Sequence, residues 1–239
     1  QVFQSNQTNP ALLSPYKVNI ALPSPYISIA NNGFTGDQLL SPIPGSDSLL
    51  VDIDNVLAQL GTHNYLRANG RADILGLNIR VRNIQFNLSA AARTHLYVNY
   101  PKSLVNLAWQ GNAAFIGQTV EISPDIAAFA YSEIALGASY RFFNKLTVGT
   151  RLKYLNGVAS VETAGGDVQF TTADDYYQLR GEVDYQLRTS VVDFGSFENF
   201  EPQFEPNPVS QNTGFAADIG VVYEPGPRLR FAASVMDLG

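Results

Sequence analysis

From Glu133 to Tyr154, apolar and polar residues alternate with a period of two. Ile134, Leu136, Ala138, Tyr140 and Phe142 take turns with Glu133, Ala135, Gly137, Ser139 and Arg141. Beyond Phe143-Asn144, Leu146, Val148, Thr150, Leu152 and Tyr154 alternate with Lys145, Thr147, Gly149, Arg151 and Lys153. Successive side chains of a strand point to opposite faces, so this stretch predicts two antiparallel strands joined by a tight turn. Each strand runs about ten residues or more, where globular strands average five or six.

The same code recurs along the chain. Leu75, Leu77, Ile79 and Val81 alternate with Gly76, Asn78, Arg80 and Arg82, and after a turn near Asn83 the pattern runs on from Ile84 to Val98. Tyr177, Leu179, Gly181, Val183, Tyr185 and Leu187 oppose Gln178, Arg180, Glu182, Asp184, Gln186 and Arg188. Phe215 to Tyr223 and Leu229 to Val235 form a last pair across Glu224-Pro225-Gly226-Pro227. An earlier strand is expected from Tyr16 to Asn31, interrupted by Pro23 and Pro25. A period nearer four appears twice. Ile53, Val56, Leu57 and Leu60, behind Asp52 and Asp54, predict one short helix; Leu104, Leu107 and Ala108, behind Pro101 and beside Trp109, predict another.

The composition of the two faces changes the picture. A soluble sandwich would carry many solvated Lys, Glu and Thr on its polar face. Here that face mixes Gly, Ala and Ser with Arg, Asp and Glu, which suits a crowded, enclosed interior. A tilted strand of about 9–11 residues crosses the hydrocarbon layer of a membrane. Placing turns at Asn83, Phe143-Asn144, Ala173–Asp175 and 224–227 on one side, with a tighter turn at Gly165-Gly166 on the other, leaves the long connections 32–70, 100–122 and 191–212 together on that other side. Short turns inside and long loops outside are the outer-membrane pattern. Tyr140, Phe142, Tyr177 and Tyr223 toward the short turns, and Tyr154 toward the opposite rim, are expected to form interfacial girdles. The expected fold is therefore all-β: a transmembrane antiparallel β-barrel over 16–239, with short helices in its outer loops and residues 1–15 as an N-terminal periplasmic segment.

Charge and cysteine content narrow the rest. The 239 residues carry a net charge of -6, which argues against a nucleic-acid partner, and no cysteine, which excludes disulfides and thiolate metal sites. Only 15% of residues are charged, below the usual quarter. No apolar run is long enough for a membrane helix. The chain opens on Gln1-Val2-Phe3, as a mature terminus left by cleavage would. Roughly nine strands are expected, an odd number where single-chain bacterial barrels are even. With its close at Met236–Gly239, this predicts the N-terminal portion of a longer barrel.

Several segments in order, NPALLSPYKVNIALPS, DSLLVDIDNVLAQL, YPKSLVNLAWQGN, LTVGTRLKYLNGVASVET, ADDYYQL and FAASVMDLG, resemble an uncharacterised family of outer-membrane β-barrel proteins from Bacteroidota, a domain of unknown function. The resemblance runs from about residue 9 to the end. It implies a Gram-negative outer-membrane location and a barrel fold, and it carries no catalytic residues.

Candidate chemistry follows from the polar faces. Arg80, Arg82, Arg93, Arg141, Arg151, Arg180, Arg228 and Arg230, with Glu133, Glu182, Asp184 and Asp218, are expected to line the lumen. They either shape an anion-selective passage or pair across it and fill it; desolvated charges need partners in both cases. The loop 191–208 sets Phe194, Phe197, Phe200 and Phe204 among acids, and with Trp109 these are the expected partner contacts. His63 and His95 have no nucleophile at a catalytic spacing, and no hydrolase, zinc-protease or P-loop motif is present. No enzyme activity, cofactor or metal is expected. The expected partners are the lipid bilayer and other outer-membrane proteins. The first functional expectation is a structural or accessory subunit of a larger outer-membrane complex; the alternative is a transporter or channel for a small solute or hydrophobic compound.

Overall fold

A computed structural model describes residues 3–190, 192–193, 203–204 and 212–239. In chain order the elements are β1 (Val18–Ala21), β2 (Ser24–Asn31), α1 (Gly36–Leu39), β3 (Leu40–Pro42), β4 (Leu49–Val51), α2 (Ile53–Gln59), β5 (His63–Val81) and β6 (Ile84–Pro101). There follow α3 (Lys102–Gln110), β7 (Gln118–Glu121), β8 (Asp125–Phe142), β9 (Leu146–Thr172), β10 (Leu179–Ser190), β11 (Val192–Asp193), β12 (Gln203–Phe204), β13 (Thr213–Gly226) and β14 (Leu229–Leu238). The fold is all-β, with 65% of residues in strands.

Ten strands share one antiparallel sheet, ordered β1–β5–β6–β8–β9–β13–β14, with β2 on β5 and both β7 and β10 on β9. β9 is 27 residues long; Leu146–Asn156 pair with β13 and Ser160–Thr172 with β10. Among the described residues the sheet is not closed into the expected barrel. The sheet is open, ending in β1 and β2 on one side and β14 on the other. Counting β1/β2, β7/β8 and β10/β13 as one place each leaves seven strand positions among the described residues, one short of the smallest barrels.

Register explains the two faces. The row Ile20–Leu77–Leu88–Leu136–Leu152–Ala217–Leu238 crosses the whole sheet on its outer face. One residue away, the row Asn19–Asn78–Asn87–Gly137–Arg151–Asp218 crosses the inner face. Burial runs opposite to the usual rule: Leu136 and Leu152 are 62% and 67% exposed, whereas Arg151 and Asp218 are 1% and 0% exposed.

Residues 3–15 do not stand apart from the sheet. They cross its concave face, and the contacts reach strands from one side to the other. Gln7 Nε2 donates to Asp73 of β5, and Ser14 N donates to Gln85 Oε1 of β6. Ser139 of β8 donates to Pro10 O. Asn9 Nδ2 donates to Val221 O and Ala233 O, bridging β13 and β14. The backbone of Pro10 lies where a Cβ on Gly149 would stand, 2.5 Å away, so only a glycine admits the crossing chain there.

Both predicted helices form. Asp52 caps α2 by accepting from Asn55 N at 3.0 Å. Val56, Leu57 and Leu60 pack with Phe34, Leu39, Ile53, Tyr100 and Val105 into a small apolar core beside the sheet's end. In α3, Val105 enters that core, and Trp109 is exposed.

The turn expected at Gly165-Gly166 is absent. Both glycines take positive φ, 133° and 109°, and pass the strand through an irregularity opposite Gln186 and Leu187. β9 therefore continues to Thr172. The turn at 173–178 lies at the helical end, and Tyr177 with it, away from Tyr140, Phe142 and Tyr223. The first expected strand is two, split at Leu22-Pro23.

Candidate functional site in the concave face

The inner face gathers eight charged side chains into one network. On β8, Glu133 meets Arg93 Nη2 at 2.9 Å, Arg151 Nη2 at 3.5 Å and Arg71 Nη1 at 3.9 Å. Asp218 on β13 meets Lys153 Nζ at 2.7 Å and Arg151 Nη1 at 3.6 Å. Lys153 also reaches Asp237 at 2.5 Å, and Arg71 pairs with Asp73 at 2.7 Å. Four cations (Arg71, Arg93, Arg151, Lys153) thus face four anions (Asp73, Glu133, Asp218, Asp237). Neither carboxylate oxygen of Glu133 has an aligned hydrogen-bond donor, so its contacts are charge against charge.

The crossing segment lies against this network. Arg151 Nη1 donates to Asn6 O at 3.3 Å, and Arg151 Nη2 donates to Ser89 Oγ at 3.2 Å. Toward the helical end, His95 stacks on Phe129 at 4.8 Å and bonds Asn69 at 2.8 Å. No group of three or more His, Asp or Glu is placed to hold a metal ion among the described residues.

Of the residues expected to line a lumen, Arg93, Glu133, Arg151 and Asp218 meet in the network. Arg80, Arg141 and Arg230 lie together at the short-turn end around Glu224. Arg82 and Arg228 are exposed beside turns. Arg180, Glu182 and Asp184 are on β10, exposed throughout, and the Arg180–Glu182 pair has side chains 76% and 61% exposed. Phe194, Phe197 and Phe200 fall outside the described residues, and Phe204 belongs to the short β11–β12 pair.

Sequence reading missed Arg71, Asp73 and Asp237. A bulge between Asp73 and Leu75 inverts the alternation, so Arg71 and Asp73 face inward with Gly76 and Asn78. A second irregularity, between Ile219 and Ala217, accompanies φ of 55° at Asp237 and turns that carboxylate toward Lys153. Lys153 follows the same alternation as Arg151 and was legible.

These observations define a class: an antiparallel sheet built inside out, with an ion-paired polar interior and an apolar exterior. Residues 10–239 match DUF5723, a family of unknown function, and the chain belongs to that family. No curated protein and no solved structure matches it.

Proposed function

We propose that this chain is part of an outer-membrane β-barrel whose interior is occluded, serving as a structural or accessory subunit of a larger outer-membrane complex. The observation that carries the reading is the inversion of the faces. Leu136 and Leu152 stand outward among Ile20, Ile134, Tyr154 and Ile219, while the largest fully buried side chains include Arg151, Lys153, Glu133 and Asp218. Apolar side chains gain nothing by facing water, whereas lipid accepts them. Further strands joining the free edges of β14 and β1/β2 would satisfy their backbone groups, as hydrocarbon requires. Occlusion rests on the balanced charge network and on residues 3–15 lying across the trough.

Fractionation tests the location: the full protein is expected in carbonate-washed outer membranes, and recovery in the soluble fraction refutes the reading. Leu136→Arg tests lipid contact at one residue. Near a bilayer midplane it costs about 2–4 kcal/mol, while a water-facing site tolerates it within about 0.5 kcal/mol. Planar-bilayer recordings are expected to show no unit conductance; discrete steps would favour the transporter instead. Gentle extraction that yields only the lone chain removes the accessory role.

A further inference from the structure

At the short-turn end the concave face opens into a cavity of about 400 Å³, walled by Leu12, Leu13 and Pro15 of the crossing segment and by Arg80, Arg141 and Arg230. An adjoining hollow of about 580 Å³ shares Arg141 and Arg230 and adds Lys145 and Arg228. Glu224 is the carboxylate in both linings. Among the described lining residues, five cations therefore face one carboxylate, in a chain whose overall charge is -6. The deeper network, by contrast, is balanced four against four among the described residues.

Three of the five cations, Arg80, Arg141 and Arg230, are already held in place. Glu224 is clasped by Arg141 Nη2 at 2.6 Å and by Arg230 Nε at 2.8 Å. Arg80 is anchored through Nη1 to Ser14 O at 2.8 Å, a carbonyl that fixes its position without cancelling its charge. Among the described residues, Arg80, Lys145 and Arg228 have no carboxylate within ion-pair distance, and the buried Arg141 Nε has no hydrogen-bond partner. Converging guanidinium forks around a hollow fit the oxygens of a phosphate group.

We propose that this mouth is a binding site for phosphate-bearing anions, either free phosphate or the phosphate of a lipid headgroup. The headgroup source rests on the membrane reading above, since Tyr140, Phe142 and Tyr223 ring the outer face at the same end; phosphate binding itself rests on the cavity alone. Soluble fractionation would defeat the membrane reading and leave the site standing.

The test is calorimetric titration of the full protein in non-ionic detergent at low salt, with inorganic phosphate and, separately, with dihexanoyl phosphatidylglycerol. Arg80→Gln/Lys145→Gln, which spares the Glu224 clasp, is expected to weaken binding about tenfold or more, as loss of charge-assisted contacts does. Glu224→Gln is expected to tighten binding several-fold, a sign that damage to the fold does not produce. Binding of both probes supports the shared chemistry; binding of the lipid alone identifies the headgroup, and of phosphate alone the free ion. No binding of either probe, parent-like affinity in the double variant, or weaker binding in Glu224→Gln overturns the proposal.

Discussion

Replacing Glu133 by Gln removes one negative charge from a buried site and leaves the shape nearly unchanged. The carboxylate is 2% exposed and lies 2.9, 3.5 and 3.9 Å from Arg93, Arg151 and Arg71. At an effective dielectric of about 20, a unit pair at such distances interacts by roughly 4–6 kcal/mol. Against that stands the relief of desolvating the carboxylate, several kcal/mol. The net expectation is a loss of about 3–5 kcal/mol, the range for breaking a buried pair from one side. With an m-value of about 1–3 kcal/mol/M, the urea midpoint falls by about one molar or more. The assay is urea unfolding of the protein refolded into phospholipid vesicles, followed by far-UV circular dichroism. Adding Arg93→Met restores the charge balance, so the double variant should recover about 1 kcal/mol or more relative to the sum of the singles. A loss below about 1 kcal/mol for Glu133→Gln, the value of a solvated pair, would mean that water screens the network and that the interior is open.

Two further predictions read other parts of the fold. Gly149→Val places a side chain against the Pro10 backbone, 2.5 Å from the new Cβ; residues 3–15 should become cleavable by chymotrypsin at Phe3, Leu12 or Leu13. Gly181→Val, with nothing within 4 Å of its Cβ, is the silent control, and equal protection in both variants refutes the packing. Asp52→Ala removes the cap of α2 and should cost about 1 kcal/mol, confined to the helical end. Amide exchange should then rise over Val56–Leu60 and stay unchanged in β9; a uniform rise across the sheet contradicts a separate apolar core there.

Much of the architecture was legible because alternation is a local property. The strands around Asn83, Phe143-Asn144 and 224–227, the inward face of Arg151 and Asp218, and both helices all follow from spacing. What escaped has a common cause in backbone irregularity. Gly165-Gly166 looks like a turn, yet two residues that accept positive φ also let a paired strand absorb a bulge and run on. The bulges near Ile74 and Asp237 reverse the parity of the pattern, and no local signal marks them. Closure of the sheet is a matter of strand number and is not written in any single strand.

The small residues of the polar face have a physical cause that alternation alone did not identify. They suit a crowded interior, but the occupant that crowds Gly149 is backbone rather than side chain. Pro10 passes over Gly149, and Asn9 bridges the carbonyls of Val221 and Ala233. A crossing segment with its own peptide groups needs partners, and the inner face supplies them from Asp73, Gln85, Ser139, Arg151 and Ser234. Charges buried beneath such a segment lose water and need partners, which the network supplies, with the half-exposed Asp237 as its fourth anion. Where the segment leaves the trough at Pro15, the chain becomes exposed and the constraint lifts; there, among the described residues, the cations outnumber their counter-ion. The balanced centre and the unbalanced mouth are thus two consequences of one packed segment, and displacing it with Gly149→Val should loosen both together.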